Sequence, residues 1–342
     1  MSPDMLVDDP LPRLVASIDD MYNHAVAAYA LSAAWELGLF DRLRPQRATV
    51  DLEAFAREED LDLRSVQRIA HALALTRVLT LDEGSRVAAA GPLFGDAIAK
   101  KGFFYWLTRG CGELFATMPQ MVRNSICTGE FVTRDFRAIG VAARDAGLSF
   151  VDEPFCELVE RRGLRSGADL GCGSGQRLIE LAERNPGFRG VGIDIAEGAV
   201  SLARQAVAEA ALADRLTIMR GDGKRLQRRP EFLDIEFVSC FMMGHDLWPR
   251  AECIASLEAI GEAFPAATDL IMCDTYRSDL APTERHPVFT LAFETAHAVM
   301  GQALPSLAEW ADVFDATGWT MTTTIEFELP PYTALMHLTR SV

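Results

Sequence analysis

The stretch Asp169-Leu170-Gly171-Cys172-Gly173-Ser174-Gly175 decides the fold of this chain. It follows a short strand-like segment and precedes a helix-like segment that begins at Gln176. Glycine at alternate positions lets the backbone turn tightly and lie against a ligand with no Cβ atom in the way. In open α/β sheets such a loop stands at the carboxyl end of a buried strand, where nucleotide-type cofactors bind. The stretch therefore predicts an α/β sheet with a cofactor loop.

The spacing of the glycines excludes two common phosphate-binding loops. The dinucleotide fingerprint needs glycine at its first, third and sixth positions, and Gln176 occupies the sixth position counted from Gly171. A P-loop needs Gly-Lys-Ser/Thr, which does not follow here. The pattern Asp-x-Gly-x-Gly-x-Gly instead resembles motif I of the S-adenosylmethionine (SAM)-dependent methyltransferases, and this resemblance implies SAM as the methyl donor.

Two acidic residues further along the chain support a SAM site. Asp194 ends the next strand-like segment, about 20 residues after the glycine loop, where an acid can accept hydrogen bonds from ribose hydroxyls. Asp222 follows a third strand-like segment, Leu216–Met219, where the adenine edge is expected. The predicted SAM-binding residues are Asp169, Gly171, Gly173, Gly175, Asp194, Ile195, Asp222, Gly223, Cys240 and Phe241.

The composition limits the classes of function. The chain has 342 residues and a net charge of −16, which argues against nucleic acid as a partner because a polyanion would be repelled. Hydrophobic residues make up 49% of the chain, yet no apolar run reaches the ~18 residues of a membrane span. The segment Met1–Pro10 lacks the basic start of a signal peptide. Seven cysteines with no Cys-x-x-Cys pair indicate free thiols, and we expect a cytoplasmic protein that binds no membrane.

Helix-like and strand-like segments divide the chain into three parts. Residues 1–100 carry predicted helices over 13–40, with a stop or bend at Gly38, and over Val50–Glu59 and Leu63–Leu75. A hairpin with a glycine turn follows them, and together they have the layout of a winged helix. Residues 101–162 form a helical connector whose aromatic patch suits either core packing or a wall of the acceptor pocket. Residues 163–342 alternate strands and helices, which predicts a parallel sheet covered on both faces and closed by an antiparallel hairpin. A winged helix is compatible with DNA binding, but the acidic charge favours a homodimer.

A second group of polar residues follows the fourth strand-like segment. Because ligands bind outside the carboxyl ends of the strands, His245 and Asp246 are expected to face the SAM methyl group. Histidine titrates near neutral pH and so suits a general base, although capping the next helix is the structural alternative. His297 lies in an apolar helix-like run, where a core role is the alternative, and Glu294 on the same face is a candidate hydrogen-bond acceptor or further ligand. Two histidines over one crevice are compatible with a metal site that has open positions.

Residues 10–342 resemble the small-molecule O-methyltransferases, which have a helical, winged-helix-like dimerisation domain and a class I SAM domain. A narrower resemblance is to the α-keto acid β-carbon methyltransferases, a family that includes the phenylpyruvate C-methyltransferase of peptide-antibiotic biosynthesis. The matching stretches are Phe241-Met242-Met243-Gly244-His245-Asp246-Leu247-Trp248-Pro249-Arg250, Pro287-Val288-Phe289-Thr290-Leu291 with Phe293, Glu294 and His297, Met300-Gly301, and Gly112-Glu113-Leu114-Phe115 with Met118-Pro119-Gln120.

The narrower resemblance implies that His245 and His297 bind one metal ion, either iron or zinc, and that the substrate is a 2-oxo acid. It implies methyl transfer to C3 through a metal-stabilised enolate, with the base left open between Asp246 and a metal-bound hydroxide. Cys127 stands where the phenylpyruvate enzyme has a substrate-contacting arginine, which favours a different, aliphatic 2-oxo acid unless Arg123 or Arg134 takes its place.

Two other functions remain open at the level of sequence. The first is metal-free O-methylation of a small molecule, with His245 as general base and His297 in a structural role. The second is a SAM-binding regulator of transcription that acts through the winged helix, which the net charge disfavours.

Overall fold

The computed structural model describes residues 17–43, 48–127, 134–281 and 284–340. They form two compact units, one with the residues up to Gly110 and the segment Leu280–His286, the other with Cys111–Asp279 and Pro287 onward. No helix within these ranges is both long enough and apolar enough to span a membrane. The segment Met1–Pro10 and the start of the first predicted helix lie outside the described residues.

The first unit combines helices with a small antiparallel sheet. Its helices are α1 (Ile18–Glu36), α2 (Leu39–Arg42), α3 (Leu52–Glu58), α4 (Leu63–Leu75) and α5 (Phe94–Tyr105), which a π-helical turn extends over Trp106–Gly110. Its strands are β1 (Thr49–Asp51), β2 (Leu79–Leu81) and β3 (Val87–Ala90), and they lie in the order β1-β3-β2.

Capping residues set the ends of the helices in this unit. The Ser17 hydroxyl begins α1 by accepting a hydrogen bond from the backbone N–H of Asp20 at 3.1 Å. Gly38 has a φ angle of 77°, so the chain turns out of α1 at the glycine that the sequence marks as its end. Asp51 and Asp62 begin α3 and α4 by accepting backbone N–H groups of the first turn.

The predicted helices and hairpin of the N-terminal region are confirmed, with one addition. The sequence predicts a helix that starts at Val50, but residues 49–51 instead form β1 and pair with β3. The side chain of Asp51 caps α3, so this helix begins at Leu52. The strand β1 gives the hairpin a third partner, and the fully buried side chains of Leu52 and Leu73 lie in the core of this unit.

The second unit alternates helices and strands. Its helices are α6 (Gly112–Ala116), α7 (Met118–Met121), α8 (Phe136–Ala146), α9 (Asp152–Arg162), α10 (Gln176–Arg184), α11 (Glu197–Glu209), α12 (Arg250–Ala263), α13 (Thr290–Val299) and α14 (Leu307–Asp315). Its strands are β4 (Ser166–Leu170), β5 (Arg189–Asp194), β6 (Leu216–Arg220), β7 (Phe237–Phe241), β8 (Asp269–Thr275), β9 (Thr320–Phe327) and β10 (Thr333–Thr339). Single turns of other helix types are Gly147–Val151, Pro230–Phe232 and Gly244–Leu247.

The strands described in this unit form one seven-stranded sheet in the order β6-β5-β4-β7-β8-β10-β9. The strands from β4 to β8 are parallel, whereas β10 pairs antiparallel with both β8 and β9. The predicted Rossmann-like sheet, closed at one edge by an antiparallel hairpin, is therefore confirmed. The order of the strands reverses between β4 and β7, and in such sheets this is the point where ligands bind.

Helices cover both faces of the sheet, as the alternation of elements predicts. Successive residues of β7 point to opposite faces, so Val238 belongs to one apolar cluster and Phe237 to the other. The first cluster is covered by α12 and α14, and the second by α9, α10 and α11. Since both faces are apolar, polar side chains of the central strands are accommodated mainly at the strand ends.

Candidate active site

The glycine loop lies at the carboxyl end of β4, beside the reversal in strand order. Gly171, Gly173 and Gly175 have φ angles of 69°, 54° and 73°, the left-handed conformation that favours glycine. Gly175 is also the N-cap residue of α10, so the loop leads directly into the amino end of this helix. Such a helix end attracts the negatively charged groups of a ligand.

Asp194 and Asp222 lie at the same edge of the sheet as the loop. The carboxylate of Asp194 accepts a hydrogen bond from the backbone N–H of Gly173 at 3.0 Å, which ties the end of β5 to the loop. Ile195 follows Asp194 and is 63% exposed. Asp222 follows β6, and its carboxylate accepts the backbone N–H of Lys224 at 2.9 Å. The structure thus brings both predicted acids to the loop edge.

Asp169, the first residue of the motif, is buried. The Ser239 hydroxyl donates to its Oδ1 at 2.8 Å, while its Oδ2 is buried with no hydrogen-bond partner among the residues that the structure describes. Burial raises the pKa of Asp169 to about 6, although the positive charge of Arg177 opposes the change. A buried acid with an unpartnered oxygen and a raised pKa, next to a ligand loop, is a candidate for contact with a cationic ligand.

Met243 packs against two glycine turns at this edge. A Cβ atom built on Gly171 would lie 3.0 Å from the Met243 sulfur, and one on Gly223 would lie 3.0 Å from its terminal methyl group. Both turns therefore approach the thioether closely, which a larger residue at either position would prevent.

Phe241 and Cys240 end β7 beside the loop. The guanidinium of Arg177 lies over the Phe241 ring, 4.0 Å from its centroid, and its Nε is 3.0 Å from a carboxylate oxygen of Asp152. Cys240 is buried in the apolar cluster on one face of the sheet. Of these two predicted SAM-binding residues, Phe241 faces the charged pair next to the loop and Cys240 faces the core.

His245 lies in the turn after β7 and is held by Asp274 of β8. Its Nδ1 is 2.6 Å from Asp274 Oδ1, and its backbone N–H donates to Asp274 Oδ2, also at 2.6 Å. Because a carboxylate only accepts, the Nδ1 of His245 carries the proton and its Nε2 faces away from Asp274. A Cβ atom on Gly244 would lie 2.6 Å from Asp274 Oδ2, so the turn needs glycine there.

His297 lies on α13 with its ring perpendicular to that of His245. The ring centroids are 4.8 Å apart at an angle of 89°. The Nδ1 of His297 donates to the carbonyl oxygen of Phe293 at 2.7 Å, and its Nε2 is buried without a hydrogen-bond partner in the described part of the chain. Glu294 does not pair with His297, because its carboxylate accepts the backbone N–H of Ser278 at 2.7 Å. The two histidines thus converge, although 52 positions separate them in sequence.

Asp246 completes this group of polar residues. Its Oδ1 lies 3.6 Å from the Nε2 of His245, beyond hydrogen-bond distance. The side-chain amide of Gln302 donates to the same oxygen at 2.6 Å. The Asp246 side chain is 18% exposed and that of His245 is 5% exposed, so Asp246 is the more accessible of the two.

Burial and nearby charges affect the two imidazoles in opposite ways. Burial lowers the pKa of His245, but the negative charges of Asp274 and Asp246 outweigh this effect and raise the pKa above its ordinary value. Burial and the nearby charge of His245 lower the pKa of His297 well below its ordinary value. Burial raises the pKa of Asp246, and His245 opposes that change. His245 therefore binds a second proton more readily than a free imidazole, and His297 stays neutral.

Residues of the predicted connector also lie near this site. Arg134 is half-buried, and although burial lowers its pKa, its positive charge interacts with Cys111 and Asp246. Arg123, the other predicted candidate, is exposed. Cys127 packs at the end of α13, where its sulfur lies 3.7 Å from the carbonyl oxygen of Val299. The neighbouring Thr128-Gly129 lies outside the described residues.

Within the described residues, no group of three or more His, Cys, Asp or Glu side chains is arranged as a metal site. Among these residues His245 and His297 converge without a third such ligand, so the structure does not show the metal site predicted from the sequence.

Known proteins share this architecture. Residues 168–262 match the family model described as a methyltransferase domain. The methyltransferase ungE' of Aspergillus campestris is 39% identical over 321 residues, an alignment that covers 91% of this chain and 92% of the relative. The chain belongs to the family of SAM-dependent methyltransferases that includes this relative.

Two more distant proteins are similar to the chain, one in sequence and one in fold. The indolepyruvate C-methyltransferase of Streptomyces griseus is 27% identical to this methyltransferase over 334 residues, covering 92% of each chain. The structure of the mitomycin 7-O-methyltransferase MmcR superposes with a TM-score of 0.66 at 19% identity, covering 95% of this chain and 97% of that chain. At that level of identity the likeness shows a shared fold.

Sequence reasoning missed two residues of the methyltransferase site, Asp274 and Gln302. Asp274 follows the apolar run of β8, so an acid at the end of a buried strand was the available signal. Gln302 follows α13 and belongs to a residue type with no characteristic chemistry, so its role becomes visible only through its contact with Asp246.

Proposed function

We propose that this methyltransferase transfers the methyl group of SAM to C3 of a 2-oxo acid, with His245 and His297 holding one iron or zinc ion. The observation that carries the proposal is the pair of perpendicular imidazoles 4.8 Å apart. Each ring has its Nδ1 committed to a neighbouring acceptor, which leaves its Nε2 for another ligand. The Nε2 of His297 is buried and has no hydrogen-bond partner among the described residues, which fits a nitrogen that binds a metal.

The donor set suits the proposed metals. Imidazole nitrogen ligates both zinc and iron, and a hydrogen bond at the other ring nitrogen orients such ligands. Two protein nitrogens leave several positions for a substrate that chelates through two oxygens. A bound metal ion would withdraw electron density from the carboxylate and keto oxygens of a 2-oxo acid and so stabilise the charge of its enolate.

The other steps are assigned to residues of this chain. Asp246 is proposed to take the proton from C3, since a partly desolvated carboxylate is a suitable general base. The electrons of the C3–H bond form the enolate, and C3 then attacks the methyl group as the bond between sulfur and methyl breaks. The glycine loop and Asp194 hold the donor so that sulfur, methyl and C3 are in line.

The connector is proposed to recognise the acceptor. Arg134 is assigned to the substrate carboxylate, because the positive charge of its half-buried guanidinium interacts with the charge of Asp246. Cys127, in place of an arginine, favours an aliphatic 2-oxo acid over phenylpyruvate. The Streptomyces griseus relative supports 2-oxo acids in general as acceptors, since its name identifies a C-methyltransferase and indolepyruvate is a 2-oxo acid.

A substrate screen combined with metal analysis tests the proposal. The purified protein is incubated with SAM and a panel of 2-oxo acids, and mass spectrometry detects products that have gained one methyl group. In D2O, with S-adenosylhomocysteine in place of SAM, deuterium should enter C3 of the accepted substrate. Methylation of 2-oxo acids that persists after complete removal of metal would defeat the metal assignment.

O-methylation is the second candidate, and the His245–Asp274 pair favours it. A buried carboxylate 2.6 Å from Nδ1 orients the ring and raises its basicity, as a general base for a hydroxyl requires. In this case activity on phenols or alcohols survives chelators, and a His297→Ala variant retains it.

We also propose a homodimer that forms through α1. This helix exposes an apolar stripe at helical spacing, and on soluble proteins such stripes mark interaction surfaces. The stripe consists of Ile18, Met21, Tyr22, Val26 and Tyr29. Light scattering should give twice the chain mass for the wild type, and a Tyr22→Glu/Val26→Glu double variant should shift the protein to the monomer. A wild type that is monomeric at high concentration would refute this proposal.

A further inference from the structure

Gln302 connects the two segments that carry the histidines. Its backbone N–H donates to the carbonyl oxygen of His297 at 2.8 Å, just beyond the end of α13. Its side-chain Nε2 donates to Oδ1 of Asp246 at 2.6 Å, in the turn after β7. One residue thus holds both the end of α13 and the turn that carries His245.

The orientation of the Gln302 amide follows from its partner. An ionised carboxylate only accepts hydrogen bonds, so the NH2 end of the amide faces Asp246. The other end, Oε1, is buried and has no hydrogen-bond partner within the described ranges. Most buried side-chain polar atoms have a hydrogen-bond partner, so an unpartnered amide oxygen beside the two histidines calls for an explanation.

The oxygen atom that Gln302 holds is the one nearest to His245. Oδ1 of Asp246 accepts from Gln302 and lies 3.6 Å from the Nε2 of His245. Without the amide, the Asp246 side chain is free to rotate about its bond to the backbone. The distance between the carboxylate and the imidazole then varies.

We propose that Gln302 is a positioning residue, which fixes Asp246 and the end of α13 relative to His245. The base and the two imidazoles then meet the substrate in one arrangement. This inference rests on the proposed function. Since the glycine loop lies on other elements, loss of the Gln302 amide should impair the acceptor site and leave SAM binding intact.

Two variants separate the hydrogen bond from the shape of the side chain. Gln302→Met keeps the length of the side chain and removes the amide. Gln302→Glu keeps the shape but places a carboxylate against Asp246. The matched control is Gln205→Met, because Gln205 makes the same kind of bond, 2.8 Å to Glu209, on the exposed surface of α11.

The measurements are kcat and KM for the acceptor, SAM affinity by calorimetry, and Zn(II) affinity by competition with a chromogenic chelator. For Gln302→Met we expect a kcat roughly 10–100-fold lower and weaker Zn(II) binding, with unchanged SAM affinity. The kcat of Gln302→Glu should be lower still, and Gln205→Met should have the kcat and the Zn(II) affinity of the wild type. Where Gln302→Met does not fold, Gln302→Asn, which is shorter by one methylene group, takes its place.

The inference is overturned by a Gln302→Met variant whose kcat stays within about twofold of the wild type. An equal loss of SAM affinity overturns it too, because the effect would then be general loosening of the fold. The proposed function fails separately, through a wild type that neither binds Zn(II) nor methylates any 2-oxo acid. In that case the effect of Gln302→Met on kcat for O-methylation of a phenol or alcohol decides the role of Gln302, because O-methylation also uses His245 beside Asp246.

Discussion

Asp274 holds His245 at two points, with one carboxylate oxygen on the ring Nδ1 and the other on the backbone N–H, each at 2.6 Å. The ring can therefore neither flip nor change its tautomer without breaking a buried bond. Both proposed reactions depend on this orientation, because each uses the Nε2 that faces away from Asp274.

Replacing Asp274 with Asn should lower kcat roughly 10–100-fold. An amide matches only one of the two donors, since its NH2 end repels whichever N–H group it faces. Steady-state kinetics give kcat, and calorimetry should show an unchanged affinity for SAM. Asp312→Asn is the matched control, because Asp312 accepts a hydrogen bond from Arg250 at 2.7 Å on the surface. Full activity of Asp274→Asn would mean that the ring is oriented by other contacts.

The His297→Ala variant should lose metal and methylation of 2-oxo acids together, because a single imidazole with Asp246 makes a weak site. Elemental analysis of the purified variant measures the metal content. His71→Ala, on the exposed face of α4, serves as the control for histidine removal. Wild-type metal content in His297→Ala would contradict the metal assignment.

Asp169 predicts a pH-dependent stability. Burial raises its folded-state pKa to about 6, whereas an unfolded aspartate titrates near ~3.9. The protonated form therefore stabilises the fold below about pH 4, and this contribution is lost as the pH rises through about 6. Asp169→Asn stays neutral, so it should raise the melting temperature more at about pH 8 than at about pH 5.

The same variant should bind SAM about tenfold more weakly at neutral pH, because it removes a negative charge beside the loop that is expected to bind the cationic donor. Calorimetric titration with SAM measures this effect. An Asp169→Asn variant with unchanged SAM affinity would assign the residue to the core.

Asp269 predicts the opposite dependence on pH. Burial alone would raise its pKa, but hydrogen bonds from His337 at 2.6 Å and Arg162 at 2.8 Å outweigh burial and lower it. The resulting stability is present above about pH 4 and is lost as the pH falls below that value. Asp269→Asn should lower the free energy of unfolding on the order of 3 kcal/mol at neutral pH, as measured by urea denaturation.

Asp279→Asn is the control for this experiment, because Asp279 pairs with Arg277 at 2.8 Å on the surface. It should leave the free energy of unfolding nearly unchanged. If the difference in the free energy of unfolding between Asp269→Asn and wild type stays constant down to about pH 3, the ionisation of Asp269 is not the cause of its stabilising effect.

The sheet could be predicted because its signals are local. The strand predicted over residues 216–219 is Leu216–Arg220, and the loop glycines have the positive φ angles that their spacing indicates. The helix predicted from Val50 begins instead at Leu52. The strand β1 before it is only three residues long, which is too short to show the alternation that predicts a strand. The sequence pattern reveals alternating apolar residues and glycine turns, because each of these features extends over a few neighbouring positions.

The candidate site could be predicted only in part, because it depends on contacts between distant residues. His245 and Asp246 follow a strand, and that position signals a ligand edge. Gln302 acts through Asp246, 56 positions earlier, and nothing around Gln302 in the sequence indicates that contact. Glu294 has helical spacing to His297, yet the backbone carbonyl of Phe293 provides the nearer acceptor.

The close approach of Gly244 to Asp274 limits which residues related proteins can have at position 244. Because a Cβ atom there would come within 2.6 Å of Asp274 Oδ2, a larger residue at position 244 would displace the carboxylate that holds His245. Relatives that keep the aspartate should therefore keep the glycine. Where a relative has a larger residue in place of the glycine, we expect the aspartate to have changed as well, and the histidine to lose its fixed orientation.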